Sequence, residues 1–203
     1  MKKFIMITPD NRNFESVVVN DGSFGGVITR YPLIAVINKY VERGEEIRVI
    51  TVTPDTGYAR IHEQKLRGEL ASLQEEKGFF CRGVEVIPTT YAGDVDTSLE
   101  LFRKMLPVFE AGDTLYACLT HGNKPMAIAE LMALQYAYRV VDDVAIGCLV
   151  YGNLDHSVKP ALMRINNITS LIRLDEITRL LAEHRVAEPM SIIQHILAFG
   201  EEA

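Results

Sequence analysis

The chain has 203 residues, 48% hydrophobic and 24% charged, with 14 Gly and 8 Pro, an ordinary globular composition long enough for one sizeable core. A net charge of -6 excludes a surface built to hold long DNA or RNA, which neutralises phosphates with many Lys and Arg; a small anion needs only a local positive site. The three cysteines, Cys81, Cys118 and Cys148, are odd in number and widely spaced, so they read as reduced thiols of a cytoplasmic protein.

The opening "KKFIMIT" is too short an apolar run for a signal peptide core or a membrane span, and reads as a buried first strand from Lys3 to Thr8. The turn "PDNRN" follows, then two β-rich runs around Asn20 to Gly26, expected as a hairpin. Pro32 to Arg43 has helical apolar spacing, a proline at its start and Gly44 at its end. "EIRVITVTP" is the second buried strand, Tyr58 to Lys77 a polar helix closed by Gly78, and "GVEVIPTT" the third strand. Asp96 to Glu110 is expected as a helix with Leu99, Phe102, Leu106 and Phe109 on one face and the preceding aspartate, Asp94, at its start. The strand "TLYACLT", the helix Pro125 to Val141 and the strand "VAIGCLVYG" complete the alternation.

Strands alternating with helices imply an α/β, Rossmann-like, mostly parallel sheet covered on both faces, with the N-terminal hairpin and a C-terminal helical tail added. The tail has two helical stretches broken at Pro189, rich in Ile177, Leu180, Leu181, Ile192, Ile193, Ile196 and Leu197. Residues 1–170 are therefore expected as the Rossmann domain, and 171–203 as helices packing on the sheet or on a second copy.

In open α/β sheets, ligands bind beyond the carboxyl ends of the strands. Thr120 to Lys124 is such a strand-to-helix loop: Asn123 can cap the helix, Gly122 admits a close approach, and the helix N-terminus, the Lys124 ammonium and the Thr120 hydroxyl together suit a phosphate. A loop of Gly, Asn and Pro also starts helices with no ligand at all, and "GNKP" lacks the Walker frame. His121 is either a hydrogen-bonded structural histidine or a general base. It has no partner at metal-ligand spacing, so no metal is expected, and no cofactor. No G-x-S-x-G elbow supports a hydrolase. Arg179 and His184 fit an R-x4-H ribonuclease spacing, but a tail helix more readily uses them as a solvated face.

The segments "KKFIMITPDNRN", "GGVITRYPLIAVI", "VITVTPD", "LYACLTHGNKPMAIAELMALQYA" and "IGCLVYGNLD" in this order resemble the CARF domains of type III CRISPR systems, whose members sense cyclic oligoadenylates. The resemblance covers nearly the whole chain. Thr-His-Gly followed by Pro and the later Tyr-Gly is moderately specific as a set, and each is weak alone. There are two departures: Cys118 and Asn123-Lys124 stand where the family has an Asp and an aromatic-Arg pair, and the effector domain that usually follows the sensor is not among these 203 residues. The chain then either acts alone or forms one part of a larger effector.

The resemblance implies a homodimer that binds a cyclic oligoadenylate, above all cyclic tetra-adenylate, across its two-fold axis. Thr8, Asp10, Asn11, Arg12 and Asn13, with Thr120, His121, Gly122, Asn123 and Lys124, would surround the ring. Arg12 and Lys124 would hold phosphates, Asn11 and Asn13 would read adenine edges, and Tyr151 or Tyr91 would stack on a base or belong to the core rim. Arg30 reads equally as a surface charge. Two functions remain open: a sensor that drives an attached or associated effector, or a metal-independent ring nuclease. In the second, a ribose 2'-OH attacks the adjacent phosphate, Lys124 stabilises charge and His121 moves the proton.

Overall fold

The structure, a computed structural model, describes residues 1–12, 17–19, 23–155, 157 and 161–200. Asn13 and residues 20–22 of the expected hairpin lie outside the described residues. The elements are β1 (Lys2–Ile7), β2 (Val17–Val19), β3 (Ile28–Thr29), α1 (Pro32–Tyr40), β4 (Glu46–Pro54), α2 (Gly57–Lys77), β5 (Phe80–Thr89) and α3 (Val95–Met105). After a 3-10 turn at Leu106–Val108 come β6 (Thr114–Cys118), α4 (Lys124–Val140), β7 (Ala145–Asp155), β8 (Leu162–Asn167), α5 (Thr169–Glu183) and α6 (Pro189–Gly200).

Eight strands form one sheet in the order β3-β2-β8-β7-β6-β1-β4-β5. The five from β7 to β5 run parallel, while β8 is antiparallel to β7 and β3 to β2. The chain is thus an α/β protein with a Rossmann-like sheet. Strand order reverses between β1 and β6, because β1 leads outward to β4 and β5 whereas β6 leads the other way to β7. That reversal is the topological switch point, where the loops leaving two adjacent strands part and open a crevice.

Alternation along β1 shows the two layers. Phe4 and Met6 join the buried cluster with Leu33, Val36 and Ile37 of α1 and Leu66 and Leu70 of α2. Lys3 points the other way, to the turn that ends α3, where its ammonium donates to the Val108 carbonyl at 2.6 Å and meets Asp113 at 2.7 Å. So α1 and α2 cover one face, and α3 and α4 the other.

Helix ends follow their local chemistry. Thr56 caps α2 by accepting from the Ala59 N–H at 3.2 Å, and Gly78 closes it in the left-handed conformation, φ 70°. Asp94, the aspartate expected to start α3, caps it by accepting from the Thr97 N–H at 2.8 Å.

The expected face of α3 is corrected. Leu101 and Met105 face the sheet and Phe102 meets the Tyr136 ring of α4 edge-on at 6.2 Å, while Leu99 stays 55% exposed. Pro107 fixes the 3-10 turn, so one helical wheel drawn to Glu110 is out of phase. Helix α1 stops at Tyr40, three residues short of the expected Arg43. Strand β8 was not expected at all.

A compact unit spans Met1–Asn167, and α5 and α6 belong to a second unit that begins at Ile168. Arg179 on α5 is held by Glu176 and Glu183 of the same helix, which is the solvated charged face and leaves its guanidinium committed. No helix of the described residues is long and apolar enough to cross a membrane.

Candidate functional site at the switch point

The residues 8–12 and 119–123 follow β1 and β6, so the topology brings most of the predicted positions to one crevice. Their side chains divide sharply into framework and surface. Thr8 is fully buried and its hydroxyl donates to the Val52 carbonyl at 3.0 Å; it anchors the loop to β4. Asp10 accepts from the Thr56 hydroxyl, tying the same loop to the start of α2. The Asn11 carbonyl sits 2.9 Å from His62 Nε2, which must carry the proton to donate to it. The Tyr31 hydroxyl in turn donates to the His62 carbonyl at 2.9 Å. These bonds leave Asn11 and Arg12 exposed at the rim.

The second loop is built just as tightly. Thr120 Oγ1 accepts from the Gly152 N–H at 2.8 Å and lies 3.1 Å from Cys118 Sγ, so the hydroxyl expected on a phosphate joins the ends of β6 and β7 instead. Gly122 has φ 87°, and a Cβ there would stand 2.9 Å from Cγ2 of Ile7; both the backbone angle and the contact require glycine. Asn123 caps α4 as expected, accepting from the Met126 N–H at 2.9 Å while its amide donates to the Ala92 carbonyl at 3.1 Å. With Met126 capped and Pro125 lacking an N–H, the first turn offers an anion little besides its dipole and Lys124.

Lys124 is exposed at the first position of α4. Among the described residues it has no carboxylate within ion-pair distance, and the same holds for Arg12. Tyr151 and Tyr91 are 47% and 46% exposed, which places both on the rim and outside the core. Arg30 pairs with Glu69 at 2.9 Å and belongs to the α2 side of the framework.

Burial sets the protonation of the inner groups. The His121 ring nitrogen Nε2 is out of water, and burial, with His62 nearby, lowers its pKa to about 3. The ring is neutral at pH 7 and suited to hydrogen bonding rather than to donating a proton. Cys118 is fully buried and its thiol is pushed up to about 12, chiefly by burial, so it is inert as a nucleophile. Glu130 on α4 is fully buried, its two oxygens meet no donor among the described residues, and burial raises it to about 8. No three His, Cys, Asp or Glu among the described residues gather closely enough to hold a metal ion.

Sequence reasoning missed Thr56, His62 and the loop after β5, which holds the α4 cap through Ala92 and sets Gly93 against Pro125. "THGNKP" signals the helix start, but no local pattern shows that His62, 51 residues after Asn11, reaches the β1 loop. A separate cleft of about 520 Å3 lies near the amino ends of β1, β4 and β5, lined by Met1, Glu46, Arg48, Arg82, Glu85 and Glu110. Its charges answer one another in Arg48–Glu85, Arg48–Glu110 and Arg82–Glu46 pairs, so it presents no uncompensated field to a ligand. No model of a known protein family matches the chain, and no curated protein sequence matches it.

Proposed function

We propose that the chain is a CARF-like sensor that binds a cyclic oligoadenylate, foremost cyclic tetra-adenylate, between two copies of itself in type III CRISPR antiviral signalling in the cytoplasm. The observation that carries this reading is the switch-point crevice. Two loops tied to β4, α2 and β7 carry there two cations, Arg12 and Lys124, that have no carboxylate within ion-pair distance among the described residues, at the carboxyl ends of β1 and β6. A ring of phosphates needs that combination of fixed geometry and local positive charge in an otherwise acidic protein.

Support for a second copy comes from the same helix. Ile128 and Met132, 57% and 54% exposed, lie one and two turns along α4 from Lys124 on one face, and Val95 and Leu99 of α3 are also exposed. Covering this apolar strip about a two-fold axis removes it from water. It also brings two Lys124 side chains toward one ligand. An effector, attached or associated, would read the ligand-bound state.

The ring-nuclease reading uses the same site. A neutral His121 disfavours it as the proton donor, so sensing is placed first. The test incubates the protein with cyclic tri-, tetra- and hexa-adenylate in EDTA and follows thermal shift and product formation. Stabilisation by one ring without linear product supports the sensor, and conversion to fragments ending in a 2',3'-cyclic phosphate makes the protein the nuclease. With neither shift nor product, the reading is wrong.

A further inference from the structure

The β7–β8 hairpin pairs Tyr151 with Asn166 and Asn153 with Arg164. Opposed residues of an antiparallel ladder share a face, so these four side chains form one patch. All four are exposed, whereas Val150, Gly152, Met163 and Ile165, on the other face, are buried. Gly152 faces Pro32 of α1, where an added Cβ would stand 2.8 Å from Cγ; the patch therefore lies on the α4 side of the sheet. The Gly152 N–H bond to Thr120 sets the end of β7 beside the loop that begins α4. Lys124 and the patch thus open at the same end and on the same side.

The chemistry of the patch is specific. Arg48, Arg67, Arg82 and Arg179 each hold a glutamate, but among the described residues no carboxylate lies within ion-pair distance of Arg164. Asp155, further along the same face, accepts at one oxygen from both the N–H and the hydroxyl of Ser157, at 2.9 and 2.5 Å. The Asn166 amide donates to the Tyr151 carbonyl at 3.4 Å. An aromatic ring, two amides and an unanswered guanidinium on a flat strand pair are the parts from which single-stranded nucleotides are gripped.

We propose that Tyr151, Asn153, Arg164 and Asn166 form a nucleotide platform that extends the switch-point site. Tyr151 stacks on a base, Asn153 and Asn166 meet the donor-acceptor edge of an adenine, and the Arg164 fork holds a phosphate of the same strand. This rests on the reading that the crevice takes a cyclic oligoadenylate, and it adds the surface that selects the base.

The experiment measures binding of cyclic tetra-adenylate to the full chain by calorimetry at two salt concentrations, with Arg164→Ala, Tyr151→Ala, Tyr151→Phe and Lys124→Ala as variants. All three positions are exposed, so unchanged thermal unfolding of the free variants is expected. Arg164→Ala should weaken binding about tenfold and lower the salt slope by about 0.7. Tyr151→Ala should weaken it roughly five- to hundredfold, and Tyr151→Phe should restore it. Full affinity in Arg164→Ala and Tyr151→Ala beside a loss in Lys124→Ala overturns the platform and leaves the crevice reading standing. A loss in Arg164→Ala with none in Lys124→Ala keeps the platform and overturns the crevice. Wild-type protein that does not bind overturns both.

Discussion

Glu130 makes the stability of this protein depend on pH in a direction opposite to the usual carboxylate. Its pKa is raised to about 8 in the folded chain against 4.5 for the free side chain, because burial disfavours the charge and no donor among the described residues compensates it. A carboxyl raised on folding contributes stability that is fully present below pH 4.5 and is lost as pH rises through 8. At about 1.4 kcal/mol per unit, the loss attributable to this residue between pH 5.5 and pH 8 is about 3 kcal/mol. His121 works the other way: its depressed pKa contributes stability present above pH 6.5 and lost as pH falls toward 3. The comparison must therefore be a difference between variants. Urea unfolding of the wild type and Glu130→Gln at pH 5.5 and 8.0 should show the wild type losing about 3 kcal/mol more than the variant across that interval. Glu130→Met, which leaves no buried polar group, should be more stable than the wild type at pH 8. Identical pH dependence in the wild type and Glu130→Gln would refute the assignment of a buried, unanswered carboxyl.

Lys124→Ala should weaken cyclic tetra-adenylate binding about tenfold with no change in unfolding temperature, as loss of one charge-assisted contact at an exposed site; calorimetry beside a thermal melt checks both. Gly122→Ala should destabilise by about 1–3 kcal/mol in urea, because alanine meets both the left-handed φ and the Ile7 side chain. Lys3→Met should cost about 3 kcal/mol or more by the same measurement, since Asp113, 2% exposed, would lose its buried partner.

The parallel strands were legible because each is a short β-branched run between turn residues. The loop at Thr120 to Lys124 was legible because Asn and Pro punctuate a helix start. Strand β8 was not. "LMRINN" alternates, but Arg164, Asn166 and Asn167 weaken the strand pattern, and only pairing with β7 fixes it as a strand. Glu130 hid in "AIAELMAL" as an ordinary helical glutamate, although its spacing from Met126 and Leu134 puts it on their buried face. The division of the site into framework and surface was closed to sequence, because it depends on contacts such as His62 to Asn11 that join distant segments.

The sheet order also sets when each part of the molecule can form. Val18 and Val19 of β2 pair with Leu162 and Met163 of β8, so a strand made early in synthesis waits for one made near the end of its unit. Such a closure carries a large loop entropy and comes late in folding. β1, β4 and β6 instead are largely buried and each is paired with a strand on both sides. In hydrogen exchange, the amides of β2 and β8 should open first and those of the central strands last. The hairpin that carries Tyr151 and Arg164 therefore joins a strand of the lasting sheet, β7, to one that opens early, β8.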